Sequence, residues 1–558
     1  MTGASILARL VYNDRDRGRR FTPPLAHPMT AGPASAQHAR HGLQELLPGV
    51  LVAALAVSIY LGALRNPFVY DDRITVVENP SIRHLGELRL VLRFDLFRPL
   101  VNLSFAIDHA FWDLEPFGYH LTNVLLHALN VVLLFAVVRG LVEDGRLRLQ
   151  GGWEMSVGSA RLIAVAAAAL FAVHPMMTES VGYVSGRSEV LAGMFFLLAL
   201  LAMRAGLGRG RAGWVAVSIV LFVLAVLSKE VAIMFPFVVL AYDRLLLAGS
   251  ELERRRRLVR LHLPLVAVGA VIGLARVGVF LLVENAFSAE SVGRMFRYLT
   301  LQFEVVWKYV RLLVLPVRQS IAHNVTGFIV VSALGAIGLG LTCALAYRVR
   351  AHAPLLSFGV AWFLLLLVPT SSVLPLQYPI AEHRVYLASI GLFLVAATGF
   401  ARLVQGVRTP PLRPRVLLYA AGLAVLASLA GLTVSRNVVW ANPVALWRDA
   451  VIKAPRWDTY MAFGNALRDA GNCEAALVAY DRARRLEPER LLPLAARWAC
   501  LVILDQADDA TTIVRYIHRV DPQFTRLCGE ARALAPHIIS MPTCVAEFRA
   551  AFGPGPGG

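Results

Sequence analysis

Apolar residues along the chain gather into about eleven runs of roughly 16–24 residues, each suited to crossing the ~30 Å hydrocarbon core of a bilayer as a helix. The runs lie near 47–65, 117–138, 161–176, 189–206, 212–228, 230–248, 261–284, 327–347, 354–371, 385–401 and 415–434. Every second connection between them is rich in Arg: Arg15, Arg17, Arg19 and Arg20; Arg146 and Arg148; Arg204, Arg209 and Arg211; Arg254 to Arg257; Arg348 and Arg350; Arg408, Arg413 and Arg415. The positive-inside rule places these connections in the cytosol. The alternate ones, with everything after about 435, then face the opposite side. One further segment, "RYLTLQFEVVWKYVRLLVLP" (297–316), carries Arg297, Glu304, Lys308 and Arg311 at helical spacing. If it crossed, the later charge alternation would invert, so parity puts it in the outer interface or makes it re-enter.

Composition strengthens this picture. Of 558 residues, 57% are hydrophobic and 16% charged, and the mean hydropathy is +0.60. These values exclude an ordinary soluble protein and predict an all-α polytopic membrane protein. The net charge of +18 would suggest nucleic acid in a soluble chain. Here it lies between apolar runs and serves orientation, so no nucleic-acid partner is expected. The only lysines are Lys229, Lys308 and Lys453. Residues 1–43 are Arg-, Pro- and Ala-rich without apolar periodicity, and read as a disordered basic cytosolic tail. The run at 47–65 reads as an uncleaved anchor. A membrane domain is expected over 44–435, with a first outer loop at 66–116.

Beyond the membrane domain, 436–552 reads as an extracytoplasmic helical domain, and "GPGPGG" (553–558) as a flexible end. In "WDTYMAFGNALRDAGNCEAALVAYDRARRLEP", with Pro488 at position 32 of a 34-residue frame, Gly464 falls at 8, Ala476 at 20, Tyr480 at 24 and Ala483 at 27. Those are the small and aromatic positions of a tetratricopeptide repeat, where two helices pack closely. A weaker copy runs from 491 to Pro522. Two repeats are fewer than a free-standing solenoid needs, so residues 457–522 are expected to lean on the membrane domain, a partner or a second copy. Cys473, Cys500, Cys528 and Cys544 all lie in this tail. On the outer side they are expected to form at least one disulfide, the alternative being four packed thiols.

The ordered series "FVYDD", "FRPLVNLSFAIDHAFW", "GYHLTNVLLHALN", "LFAVHPMMTESVGYVSGRSEVLAGMFFLLALL", "LSKE", "AEHRVYLASIG" and "RNVVWANPVALWRDAV" resembles the transmembrane and tetratricopeptide-repeat O-mannosyltransferases and their bacterial relatives. The resemblance covers roughly 60–490. It implies the GT-C glycosyltransferase superfamily, with a polytopic helical bundle, a polyprenyl-phosphate sugar donor and inverting transfer to an acceptor hydroxyl on the outer face. The acceptor would be a protein or a glycan. The location implied is a bacterial inner membrane, with the N-terminus cytosolic and the C-terminal domain periplasmic. Ala388 stands where relatives usually show Pro, and His323 lies near where they often carry acids.

Such a transfer needs a base for the acceptor hydroxyl and cations or donors for the departing phosphate. The resemblance assigns the base to Asp71 or Asp72; the alternative is a capping Asp pair before a turn. Arg384 is the first choice for the donor phosphate, because its fork suits bidentate contact; the alternative is pairing with Glu382. Lys229 could meet the phosphate as a compact charge or belong to an internal ion pair. Arg187 is a third candidate, or the partner of Glu179. Glu179, His174, Glu230, Glu382 and His383 are supporting residues. His174 before Pro175 is expected to end a helix, and His120 and His127 to pack within the second span. No His or carboxylate cluster has metal spacing, so no cofactor is expected, a divalent cation remaining the alternative.

Two other classes compete. A lipid-linked-sugar transporter would place its charges within spans and show repeat symmetry. A scaffold recruiting partners through its helical tail would need one anchor, not many spans.

Overall fold

The computed structural model describes residues 33–148, 157–209, 212–284, 289–371, 376, 378–407 and 413–520. Among these residues all regular structure is helical and none is strand. The chain divides into two units. The first comprises residues 1–68, 75–319 and 325–437; the second comprises 69–74, 320–324 and 438–558.

Among the described residues seven helices are long and apolar enough to cross a membrane: Gln44–Arg65, Pro116–Arg146, Val184–Leu207, Glu251–Gly278, Ile329–Val349, Ser389–Gly406 and Pro414–Trp440. A bent pair, Gly158–Val173 with Pro175–Val181, makes an eighth if counted as one span; its halves meet at 56°. The remaining apolar runs make shorter helices. The run at 212–228 is helical only over Gly213–Val226, and that at 354–371 over Pro354–Leu367. The run at 230–248 winds first as a tight 3-10 turn, Glu230–Met234, and is α-helical only over Phe235–Leu245. Eleven residues at 1.5 Å each reach about 16 Å, roughly half a hydrocarbon core. Hydropathy counts apolar runs. It does not see that Ser228, Lys229 and Glu230 interrupt the winding and that Pro236 fixes a new helix start.

The bend has a local cause. Pro175 has no N–H and fits the first turn of a helix, not its interior. His174 takes extended backbone before it and caps the turn, its Nδ1 accepting the Met176 N–H at 3.2 Å. Its Nε2 then donates to the Leu313 carbonyl at 3.0 Å.

The core is built on the Pro116–Arg148 helix, which packs on Pro33–Tyr60, Val157–Val173 and Arg187–Arg209. Phe135, Phe171, Phe196 and Trp362 are fully buried in it. His127 is a packing residue, its Nδ1 2.8 Å from the Tyr386 hydroxyl. Gly359 and Gly391 let Pro354–Leu367 and Ser389–Gly406 touch backbone to backbone; a Cβ on Gly359 would lie 2.5 Å from the Gly391 carbonyl. By contrast, Ile329–Val349 and Pro414–Trp440 bury only 11% of their apolar windows. Leu334, Ile337, Leu341 and Leu345 are bare, as on a helix that lipid covers.

The segment 297–316 falls in a helix, Ala289–Val314, that is not among the candidate spans. Its Glu304 binds Lys308 at 2.9 Å and accepts from the Thr326 hydroxyl at 2.7 Å.

Among the described residues the second unit has five successive helices, Pro443–Lys453, Trp457–Asp469, Cys473–Leu486, Leu492–Ile503 and Ala507–Val520. Each packs on the next. Gly464 faces Tyr480 so closely that a Cβ would overlap the ring, the approach expected of a small residue at that position. Cys473 and Cys500 are buried free thiols in contact with one another, and burial together with Cys473 pushes the Cys500 thiol up to about 12. Cys528 and Cys544, residues 1–32 of the basic tail, the end of the weaker repeat copy and the 553–558 end lie outside the described residues.

Candidate functional site

In the first unit the polar groups converge where the bent pair ends. Glu179 lies on the short helix Thr178–Val181, almost wholly buried. Its Oε1 is 2.6 Å from His383 Nδ1, and its Oε2 accepts the His383 backbone N–H at 3.2 Å. One carboxylate thus fixes both the ring and the main chain of a residue 204 positions away. A carboxylate so placed fixes the orientation of the imidazole. His383 keeps 26% of its side chain exposed. The Ser180 hydroxyl adds a contact to the His383 carbonyl at 3.4 Å.

The turn carrying Glu382, His383 and Arg384 is clamped from behind. The Tyr309 hydroxyl donates to the Ala381 carbonyl at 3.0 Å and accepts the Ala381 N–H at 3.1 Å. Burial pushes that phenol up to about 12, so it stays protonated and keeps its donor. Glu382 is buried and accepts from Gln319 at 3.0 Å. Arg384, half-buried, donates to the Pro379 carbonyl at 3.2 Å and interacts with Tyr298.

The other predicted cations sit deeper. Arg187 is fully buried. It binds Asp108 at 2.7 Å and the Tyr119 carbonyl at 2.7 Å, and also donates to Asn123 and Ser104. Lys229 binds Glu189 at 3.1 Å and Ser188 at 3.2 Å. Its sequence neighbour Glu230 turns the other way, to Arg98 Nη2 at 3.1 and 3.2 Å. Burial alone would raise the Glu230 carboxyl, but Arg98 and Lys229 hold it at about 2. Asp108, Glu189, Arg98, Gln319 and Tyr309 escape a sequence reading. The signal for them is weak: single polar residues inside apolar or amphipathic stretches, whose partners only the tertiary fold supplies.

Asp71 and Asp72 belong to the second unit. The chain turns at Tyr70, with φ of +53°. Asp72 is fully buried, and its Oδ2 accepts the Val69 N–H at 3.1 Å. Asp71 is half-buried, and its carbonyl accepts from Ile74 at 3.0 Å. Within the same unit the Tyr70 ring meets Trp447 edge-on at 5.4 Å, and Arg73 pairs with Asp469 at 3.8 Å. The two adjacent acids therefore differ: one is fixed in a buried turn, the other reaches solvent. Among the described residues no group of three or more His, Cys, Asp or Glu is placed to hold a metal ion.

No family model matches the chain. Curated relatives do. The chain is 25% identical to Protein O-mannosyl-transferase Tmtc3 of Drosophila melanogaster over 524 residues, which cover 80% of this chain and 56% of that protein. It is 23% identical to Protein O-mannosyl-transferase TMTC1 of Homo sapiens over the same shares. Over a shorter stretch of 194 residues, 32% of this chain, it is 34% identical to Protein O-mannosyl-transferase Tmtc1 of Drosophila melanogaster. The chain is TMTC-like. This TMTC-like chain spans about half the length of the curated relatives it matches.

Proposed function

We propose that the protein is a membrane glycosyltransferase of the GT-C type. It would move a mannose-like sugar from a polyprenyl-phosphate donor to a hydroxyl of a protein or glycan acceptor on the extracytoplasmic face. The observation that carries this reading is the Glu179–His383 contact. It draws a carboxylate, an imidazole and the neighbouring Arg384 together at the end of a broken membrane helix, in a chain whose relatives are named O-mannosyl-transferases.

In this proposal the acceptor oxygen attacks the anomeric carbon as the bond from that carbon to the phosphate oxygen breaks, which inverts the configuration. Asp71 or Asp72 takes the hydroxyl proton. Asp71 is the better placed for a substrate, because it reaches solvent; Asp72 holds the turn. Arg384 meets the phosphate oxygens with its fork, and His383, held by Glu179, stands beside it. Lys229 and Arg187, first considered for the phosphate, have their charges taken up by Glu189 and Asp108, so we assign them, with Glu230, to holding the helices. Glu382 and His174 hold the turn and the helix end. The five-helix tail would act as a tetratricopeptide-like module that recruits the acceptor, a partner or a second copy through 457–522. The N-terminus would be cytosolic and the tail periplasmic, in a bacterial inner membrane.

The test is a transfer assay with purified protein, a panel of labelled polyprenyl-phosphate sugars and a Ser/Thr-rich acceptor protein. Label should appear on the acceptor from the mannose-like donor, with release of polyprenyl phosphate. Label transferred only from a nucleotide sugar, or from no donor at all, contradicts the reading.

A further inference from the structure

A second polar cluster in the first unit takes in Glu230 together with two arginines that the sequence did not single out. Arg276 belongs to the candidate span Glu251–Gly278, on a stretch whose Val271, Leu274 and Val277 are 69%, 73% and 50% exposed. The same span begins with Arg254 to Arg257. From Arg257 to Arg276 the helix rises about 28 Å, close to one hydrocarbon thickness. With the four arginines at one membrane surface, Arg276 lies at the headgroup level of the other.

There it meets Arg98. Arg276 Nη2 donates to the carbonyls of Phe97 at 2.6 Å and Val226 at 2.8 Å, and its guanidinium sits 5.6 Å from the Phe97 ring centroid. Arg98 Nη2 is spent on both oxygens of Glu230. Among the described residues the hydrogen bonds of each guanidinium run through Nη2, and Arg98 keeps 36% of its side chain exposed. Of the nearby acids, Glu189 holds Lys229, and Asp95 accepts the N–H groups of Phe97 and Arg98 through one oxygen while its charge acts on both guanidiniums. Two guanidiniums thus stand together, Arg98 paired with Glu230 and both within the field of Asp95, beside the exposed apolar residues Leu96, Phe97 and Leu274.

We infer that Arg98 and Arg276 form a binding site for the phosphate of a membrane lipid, with the lipid tail along the bare face of the Glu251–Gly278 helix. Paired forks match phosphate oxygens, and the headgroup depth matches where a lipid carries its phosphate. The site shares no residue with the Glu179–His383 cluster, and the inference holds whether or not the protein transfers a sugar. The source of the phosphate, a polyprenyl monophosphate or a bilayer phospholipid, is what the experiment separates.

The full chain, purified in detergent and stripped of lipid, is titrated with a polyprenyl monophosphate, with phosphatidic acid, with phosphatidylcholine and with the uncharged polyprenol, and bound lipid is counted by native mass spectrometry. Arg98→Gln and Arg276→Gln should each weaken the phosphate lipids about tenfold or more, the scale of a lost charge-assisted contact, and leave polyprenol unaffected. Arg98→Lys, which keeps charge and loses the fork, should fall between, and it serves if Arg98→Gln fails to fold. Glu230→Gln, which removes the competing carboxylate, should bind phosphate lipids more tightly. Tighter binding of the polyprenyl monophosphate than of phosphatidic acid or phosphatidylcholine assigns the site to the polyprenyl lipid; binding of either phospholipid at least as tight assigns it to bilayer phospholipid headgroups. Unchanged lipid binding in folded Arg98→Lys and Arg276→Gln, or polyprenol binding as well as its phosphate, overturns the inference.

Discussion

Glu230 and Glu179 show what a carboxylate does here once its partners are fixed. Glu230 ionises at about 2 in the fold against an ordinary value of 4.5, because Arg98 and Lys229 outweigh its burial. A depressed pKa means stability that is fully present above the unfolded value and lost as pH falls through the folded one. The difference in thermal stability between the native chain and Glu230→Gln should therefore be flat above pH 4.5 and shrink from there toward pH 2. A difference that vanishes already by pH 6 would show that the Arg98 contact is not made. For Glu179 the relevant reading is activity. Glu179→Gln keeps the shape and loses the charge that orients His383, and it should reduce sugar transfer about tenfold or more and move the pH–rate profile. Equal activity and an unmoved profile would make the pair structural. At this scale the sequence exposed the residue types and hid the pairings. Arg187 and Lys229 stood out as cations in outer loops, but Asp108 and Glu189, which neutralise them, lie in other segments, and no spacing connects them. Glu179 and His383 stood in separate motifs for the same reason.

Among the helices, close approach and breakage matter more than length. Gly391→Ala would set a Cβ against the Gly359 carbonyl, a backbone atom that cannot swing aside. Overpacking of this kind costs about 1–3 kcal/mol, so the variant should melt earlier in detergent; an unchanged melt would mean the two helices are not in backbone contact. Tyr309→Phe removes both bonds to Ala381 while keeping the ring. It should lower transfer without lowering the melting temperature comparably, since the loss falls on the Glu382–Arg384 turn. Helix existence was legible from apolar runs, and the break at His174-Pro175 from proline chemistry. The difference between a run and a span was not legible. At 230–248 the apolar count is satisfied, and the shortening comes from a tight turn that hydropathy does not register. Gly464 was legible because its frame fixes a small residue opposite Tyr480; the thiols were not, since Cys473 and Cys500 pack together unbonded.

For the molecule as a whole, the membrane unit and the helical tail each have a core of their own. Charge alternation in the sequence predicts their sidedness: a reporter fused behind Gly558 should signal from the extracytoplasmic side, and a cytosolic signal would reverse every proposed outer residue. That short stretches at 69–74 and 320–324 group with the tail was invisible in the sequence, which singled out Asp71, Asp72 and His323 for their chemistry but carries no sign of that grouping. The TMTC-like character, by contrast, was legible, because it rests on the order of seven motifs and not on any one contact. The most direct measurement is transfer of labelled mannose from its polyprenyl phosphate to an acceptor protein by the native chain, Asp71→Asn, Asp72→Asn and Arg384→Lys, each checked for insertion and fold. The account predicts transfer by the native chain, a loss of about 10²–10⁴-fold in one Asp variant, a smaller loss in the other, and an intermediate loss in Arg384→Lys. Near-full transfer by both Asp variants would contradict it.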